Sequence, residues 1–176
     1  KAPTYFLGRS HGFNSVHGRM PSVATGANLA NRDLTYIGVS GDGDTASIGL
    51  GQFCHAVRRQ LNMTYVVMNN GCYGLTKGQY SPTSRAGLRT PSSPGGAVEQ
   101  PAHALTFALG SGARFIARGG DVRIKELSAV LARAHEHKGA SFVEILQNCI
   151  VYNDGAFGHI MDKDKAALAQ IHLENG

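Results

Sequence analysis

The sequence predicts an α/β domain: a parallel sheet with helices on both faces. Three observations carry that expectation. First, a β-prone run, a glycine turn, a helical apolar pattern and a second β-prone run follow one another between Leu34 and Met68. Such a succession is a βαβ unit, and its two strands must run parallel. Second, helical and strand patterns keep alternating downstream, as they do where helices cover a sheet. Third, 176 residues with 42% hydrophobic content suffice for one domain with a buried core.

The elements follow in order. Residues 1 to 20 read as irregular, with Gly8, Gly12 and Gly18 around His11 and His17. A short helix is expected from Pro21 to about Ala30. Leu34 to Val39 reads as a buried strand and Ser40 to Asp44 as a turn. Ala46 to Leu61 has helical apolar spacing at Ile48, Phe53, Val57 and Leu61, and Met63 to Met68 is a second buried strand, rich in Val and Tyr. Asn69 to Gln100, packed with Gly, Pro, Ser and Thr, reads as a long functional loop. Pro101 to Gly110 is a helix with Pro in its first turn and Gly as its stop. Ala113 to Ala117 and Ser141 to Leu146 are strands. Between them Val122 to Lys138 is a helix, with Ile124, Leu127, Val130, Leu131 and Ala134 on one face and Gly139 at its end. These elements make a domain over 1–157. Residues 158–176 form a tail with an amphipathic piece from Lys165 to Leu173.

Composition excludes several functional classes. The apolar runs are only a few residues long, so no segment spans a bilayer. Glycine supplies 23 of 176 residues and charged residues only 16%, against averages of about 7% and 25%, which suits a member of a larger assembly. The net charge is +5, yet the basic residues are scattered and no nucleic-acid motif is present. From Thr45 to Val98 there is no Asp or Glu, while Arg58, Arg59, Lys77, Arg85 and Arg89 fall in that stretch. A long acid-free, basic segment suits an anionic ligand. Three cysteines, Cys54, Cys72 and Cys149, form neither a disulfide framework nor a zinc motif, which points to the reducing cytoplasm.

The chemistry concentrates at Gly41-Asp42-Gly43, at the carboxyl end of the first strand, where open α/β sheets bind ligands. A plain glycine turn is the bland alternative. The letters Gly41 to Ala46 also satisfy G-x-G-x-x-A, a dinucleotide fingerprint. That reading needs a carboxylate at the end of the next strand, which instead ends in Met68-Asn69-Asn70, and it sets Asp42 and Asp44 beside a pyrophosphate. A divalent cation between carboxylate and diphosphate removes the repulsion.

GDG, the 25 residues from 44 to 68, and Asn69-Asn70 together resemble the thiamine diphosphate signature. Asn70-Gly71-Cys72-Tyr73-Gly74-Leu75-Thr76-Lys77-Gly78-Gln79, followed by Ser81-Pro82-Thr83-Ser84, resembles the β subunit of 2-oxoacid:ferredoxin oxidoreductases. His17-Gly18-Arg19, Val23 to Gly26, Leu29 to Asn31 and Phe142 to Cys149 are similar to the same family, so the likeness runs from about residue 5 to 157. It implies a thiamine diphosphate-binding fold. It also implies Mg²⁺ held by Asp42, the Asn70 side chain and the Cys72 carbonyl, three oxygens of the hard type that Mg²⁺ takes. Gly41, Gly43, Asp44, Tyr73, Leu75 and Thr76 would meet the cofactor, with the helix beginning near Thr45 aimed at the diphosphate.

The resemblance further implies oxidative decarboxylation of a 2-oxoacid. The acyl group would leave on coenzyme A and electrons would pass through iron–sulfur chemistry to ferredoxin, with an α (or α and γ) subunit as partner. The carboxylate that activates the aminopyrimidine would come from that partner. Cys149 would be one of four thiolates on a [4Fe–4S] cluster. The family's other three lie toward the N-terminus, so the chain, opening on Lys1, is expected to lack an N-terminal part. As a small buried apolar residue, Cys149 would have no such role. A lysine at the Lys77 position of GLTKGQ is associated with 2-oxoglutarate or broad 2-oxoacid use; a solvated surface lysine is the alternative. Leu75 would buttress the thiazolium ring or pack the loop. His17 would lie near the cofactor or a substrate oxygen, or serve structure. The enzyme-class alternative is another thiamine diphosphate decarboxylase or synthase; outside that class it is a non-catalytic dinucleotide-binding module.

Overall fold

The computed structural model describes residues 7–162, 164 and 165. Its main sheet has four strands, all parallel: β1 (Ile37–Gly41), β2 (Met63–Asn69), β5 (Phe115–Gly120) and β6 (Ala140–Leu146), in the order β1-β2-β6-β5. A hairpin of β3 (Cys72–Tyr73) and β4 (Gln79–Tyr80) lies inside the long loop, with Cys72 opposite Tyr80 and Tyr73 opposite Gln79.

Helices cover both faces of the sheet, as expected. On one face α1 (Met20–Ala30), α2 (Leu50–Arg58) and α3 (Ala104–Gly110) close over Met63, Tyr65 and Val67 of β2 and Phe142 of β6. The Phe53, Tyr65 and Phe142 rings meet there, with centroids 5.0 to 6.0 Å apart. On the other face α4 (Ile124–Glu136) lays Leu127, Val130, Leu131 and Ala134 on Val66, Val143 and Ile145. All of the apolar positions assigned to this helix except Ile124, which is exposed, are packed there. A short α5 (Gly158–Met161) follows, and Met161 packs onto Gly120 of β5. The amphipathic piece beginning at Lys165 lies, beyond that residue, outside the described residues.

Three expectations require correction. The first strand starts at Ile37 rather than Leu34 and continues through Gly41, so Ser40 and Gly41 are strand and helical backbone begins at Asp42. Leu34 is exposed. The small Gly38 lets α1 pack closely on this strand: a Cβ there would stand 2.3 Å from the Met20 sulfur. Second, Ile48 does not share the buried stripe of Phe53 and Val57. Residues Asp44–Ile48 form a π-helical turn, whose wider winding rotates Ile48 out to solvent. Third, Asn69 to Gln100 is not wholly loop, because it folds back as the β3–β4 hairpin. Among the described residues no helix is long and apolar enough to cross a membrane.

Candidate functional site

β1 and β2 are adjacent and parallel, so the loops at their carboxyl ends share one sheet edge. That arrangement brings Asp42 and Asn70 together across 28 positions of sequence: the Asn70 backbone N–H lies 3.4 Å from Asp42 Oδ1. Asp42 is buried, and its other oxygen, Oδ2, accepts the Ser81 hydroxyl at 2.6 Å and the Thr83 hydroxyl at 2.5 Å. Burial pushes the Asp42 carboxyl above its ordinary range; the bonds from Ser81, Thr83 and the Asn70 N–H oppose that but do not overcome it.

Two consecutive side-chain turns shape the loop after β2. Asn69 Oδ1 accepts the Gly71 N–H at 3.0 Å, and Asn70 Oδ1 accepts the Cys72 N–H at 3.1 Å. Gly71 has φ +65°, a conformation that glycine adopts without strain. Its carbonyl accepts the Ser84 hydroxyl at 2.6 Å, and Asn153 Nδ2 donates to the Asn70 carbonyl at 2.9 Å and to that of Gly71 at 3.2 Å. The segment after β6 is thereby clasped to the loop that carries Asn70.

The remaining predicted positions divide into some joined to this edge and others standing exposed. Gly43 lies under the Tyr73 ring: a Cβ on Gly43 would come within 2.3 Å of Tyr73 Cε1, and the Tyr73 hydroxyl donates to the Gly43 carbonyl at 3.2 Å. Gly41 is half-buried at the strand end. The Asp44 carboxylate turns inward, accepting the Gly18 N–H at 2.6 Å and the Ser40 hydroxyl. Thr76, in the hairpin loop of residues 74–78, bonds to Gln79 at the start of β4. Leu75 is 89% exposed, and His17 and Lys77 are exposed as well. Lys77 has φ +77°, rare for a residue with a side chain, and is followed by Gly78 at +90°.

Cys149 stands beside the same loop, its sulfur 3.9 Å from the position of a Cβ on Gly74. Burial pushes its thiol up, but backbone N–H groups of Tyr152, Val151 and Asn153, with the Cys72 thiol, outweigh that and lower its pKa. The Cys72 thiol is pushed up to about 12, first by burial and then as hydrogen-bond partner of Cys149. Among the described residues no three His, Cys, Asp or Glu side chains gather as a metal group.

The oxygens at this edge fit a small hard cation: one carboxylate, one amide oxygen, and the carbonyl of Cys72 on the same loop. The raised Asp42 carboxyl supports the fit, since a buried anion without a cation is disfavoured. Sequence reasoning named Asp42 and Asn70 but gave no role to Ser81, Thr83, Asn153 or Glu144. The Ser81-Pro82-Thr83-Ser84 string signals a polar turn without saying what it caps. Glu144 had a readable signal: a lone carboxylate inside the apolar run Phe142 to Leu146 must find a buried partner.

Comparison with known proteins bears on the same edge. The family model for the thiamine pyrophosphate enzyme C-terminal TPP-binding domain matches residues 1–145. The chain is 48% identical over 172 residues to the 2-oxoglutarate oxidoreductase subunit KorB of Mycobacterium tuberculosis, covering 98% of this chain and 46% of that one. It is 40% identical to the 2-oxoacid:ferredoxin oxidoreductase subunit beta of Saccharolobus solfataricus, covering 88% of this chain and 50% of that one. Among solved structures, the 2-oxoglutarate:ferredoxin oxidoreductase of Magnetococcus marinus, with 2-oxoglutarate, coenzyme A and succinyl-CoA bound, superposes with a TM-score of 0.80. Its sequence identity is 39%, over 91% of this chain and 54% of that one. The chain spans about half the length of the curated relatives it matches.

Proposed function

The chain belongs to the thiamine pyrophosphate enzymes through their cofactor-binding domain and is similar to β subunits of 2-oxoacid:ferredoxin oxidoreductases; from that premise we propose that it is the cofactor-binding part of such a β subunit. The whole enzyme would oxidatively decarboxylate a 2-oxoacid, 2-oxoglutarate foremost, to an acyl-CoA and CO₂. Electrons would leave through an iron–sulfur cluster to ferredoxin. Its partners would be an α, or α and γ, subunit, and its setting the cytoplasm, which suits three free cysteines. Residues 1–157 would form the cofactor domain, with 158–176 as a tail.

One observation carries this reading: Asp42 and Asn70, from adjacent parallel strands, meet at one loop edge inside a domain of the thiamine pyrophosphate family. When bound, thiamine diphosphate supplies the electron sink for loss of CO₂, and Mg²⁺ balances its diphosphate. The chain's own residues hold and orient. Asp42, Asn70 and the Cys72 carbonyl would hold the metal. Ser81 and Thr83 aim the Asp42 carboxylate. Tyr73, lying on Gly43, joins the two loops, and Asp44 fixes the approach of the Gly18 segment. Gly41, Gly43, Thr76 and Leu75 would face the cofactor, with Leu75 presenting an open apolar surface. His17, exposed before α1, would serve a substrate oxygen.

Lys77 would select the substrate. A bulky residue in the left-handed region costs backbone energy that a glycine would spare, which favours a role for its side chain. In the assembled enzyme, Lys77→Ala lowers kcat/KM for 2-oxoglutarate about ten- to a hundredfold more than for pyruvate, since one charge-assisted hydrogen bond is lost with only one substrate. Steady-state kinetics with both acids measures the ratio. Equal losses would remove Lys77 from substrate choice.

A further inference from the structure

The carboxylate of Glu144 is buried at the centre of the sheet, 1% exposed, where every neighbour along β6 from Ser141 to Leu146 is buried too. Both of its oxygens are engaged. Oε2 accepts Arg118 Nε at 2.7 Å, and Oε1 accepts Asn69 Nδ2 at 2.8 Å. We propose that the Arg118–Glu144 pair is a positioning device for the metal-binding loop and that it acts through the side-chain amide of Asn69. The inference rests on the assignment of Asp42 and Asn70 to the metal.

The argument is one of donors and acceptors. An ionised carboxylate only accepts, so it turns the NH₂ end of Asn69 toward itself. The amide is planar, and Oδ1 is therefore committed to the other side, where it accepts the Gly71 N–H at 3.0 Å and lies 3.1 Å from Thr83 Oγ1. The first bond forms the turn that sends the chain from β2 into Asn70, Gly71 and Cys72. The second gives the Thr83 hydroxyl an alternative acceptor. Thr83 has one proton and three oxygens in reach, Asp42 Oδ2 at 2.5 Å, Ser81 Oγ at 3.0 Å and Asn69 Oδ1 at 3.1 Å; Ser81 Oγ is itself bound to Asp42 Oδ2 and belongs to the same cluster. When a cation draws on the Asp42 carboxylate, the proton has a second place to go. Were Asn69 flipped, its NH₂ would confront the Gly71 N–H and offer Thr83 no acceptor. Arg118 makes the arrangement persist by its ion pair with Glu144 Oε2; its guanidinium stands on the edge strand β5 with a half-exposed side chain. A line of polar contacts thus runs from Arg118 through Glu144, Asn69 and Thr83 to Asp42, crossing β5, β6 and β2 in the paired register Arg118↔Glu144 and Val67↔Glu144.

The test is calorimetric titration of the assembled enzyme with thiamine diphosphate at several Mg²⁺ concentrations, alongside thermal unfolding of the cofactor-free enzyme. Glu144→Met fills the space but accepts nothing. Its expected effect is a ten- to hundredfold loss of Mg²⁺-dependent affinity, the range seen when groups that orient metal ligands are removed. Thr83→Val weakens binding in the unsubstituted enzyme and by a smaller factor in Glu144→Met, because both act through one amide. Arg118→Gln, a half-exposed change that keeps the core intact, gives a smaller loss of the same sign, and Arg118→Lys restores most of it. Should Glu144→Met fail to assemble, the Arg118 pair of variants reads the same line from its surface end. Unchanged affinity in Glu144→Met or, where that variant does not assemble, in Arg118→Gln overturns the inference, as do strictly additive effects with Thr83→Val. So does a fall in unfolding temperature with no change in affinity. An unsubstituted enzyme whose thiamine diphosphate binding ignores Mg²⁺ overturns the metal assignment itself, an outcome distinct from these.

Discussion

Asp42→Ala in the assembled enzyme abolishes Mg²⁺-dependent binding of thiamine diphosphate. Among the groups proposed to hold the metal, Asp42 is the charged one; the Asn70 amide and the Cys72 carbonyl are neutral. Loss of the carboxylate leaves a divalent cation against dipoles alone, and a decline of about a hundredfold or more in affinity follows. Calorimetry with and without Mg²⁺ checks it, and unchanged affinity would sink the assignment. The cofactor-free enzyme should not suffer in step. Burial raises the Asp42 pKa, so the native state disfavours this anion, and deleting it removes that penalty along with the Ser81 and Thr83 bonds.

The same shift fixes the sign of two pH dependences. Between the ordinary Asp value, about 3.9, and the raised one, the native state holds a proton that the unfolded chain has lost. This group's contribution to stability of the cofactor-free protein therefore grows as pH falls through that window and shrinks as pH rises through it. Metal affinity runs the other way, because proton and cation compete for one carboxylate. Mg²⁺ titrations should weaken at a pH above the usual Asp range, and Asp42→Asn should lack that inflection.

What could be read from the sequence depended on how local the cause was. The βαβ unit was legible because β1, α2 and β2 each carry their own pattern, and the GDG-to-Asn-Asn spacing then fixed which loops share an edge. The inward face of α4 was legible through Leu127, Val130, Leu131 and Ala134. Ile48 was misplaced because a π-helical turn changes the period within five residues, and no propensity of Asp44 to Ile48 announces it. The start of β1 was misplaced because Leu34 extends the apolar run ahead of Ile37, while the ladder with β2 begins only at Ile37 opposite Thr64. Ser81 and Thr83 escaped since their target, Asp42, is some 40 positions away and comes into reach only when the β3–β4 hairpin folds back. The role of Lys77 was posed by motif, while its left-handed backbone became visible only in three dimensions.

Cys149→Ser in the full-length β subunit removes the iron–sulfur cluster. Iron ligation requires thiolate, and the surroundings of Cys149, its nearby backbone N–H groups first, lower the pKa of its thiol despite partial burial. Cys72 does the opposite. Pushed up to about 12, it is the protonated member of the pair, so the two cysteines would divide into ligand and support. A [4Fe–4S] cluster needs four thiolates, of which this chain would give one, the others coming from the longer subunit that the relatives represent. The loop bearing Cys149 is also pinned to the metal loop, through Asn153 on the Asn70 and Gly71 carbonyls and through Tyr152, whose ring closes on Gly78. A cluster on that sulfur would sit one hydrogen-bonded layer from the proposed cofactor edge, a short path for electrons leaving it. Reconstitution of the unsubstituted subunit should give about four irons, as one such cluster requires, and broad visible absorbance. Cys149→Ser should lose both, while Cys72→Ser keeps its iron. Full iron content in Cys149→Ser would make that cysteine structural; loss in Cys72→Ser as well would mean that the pair, rather than its lowered member, holds the metal.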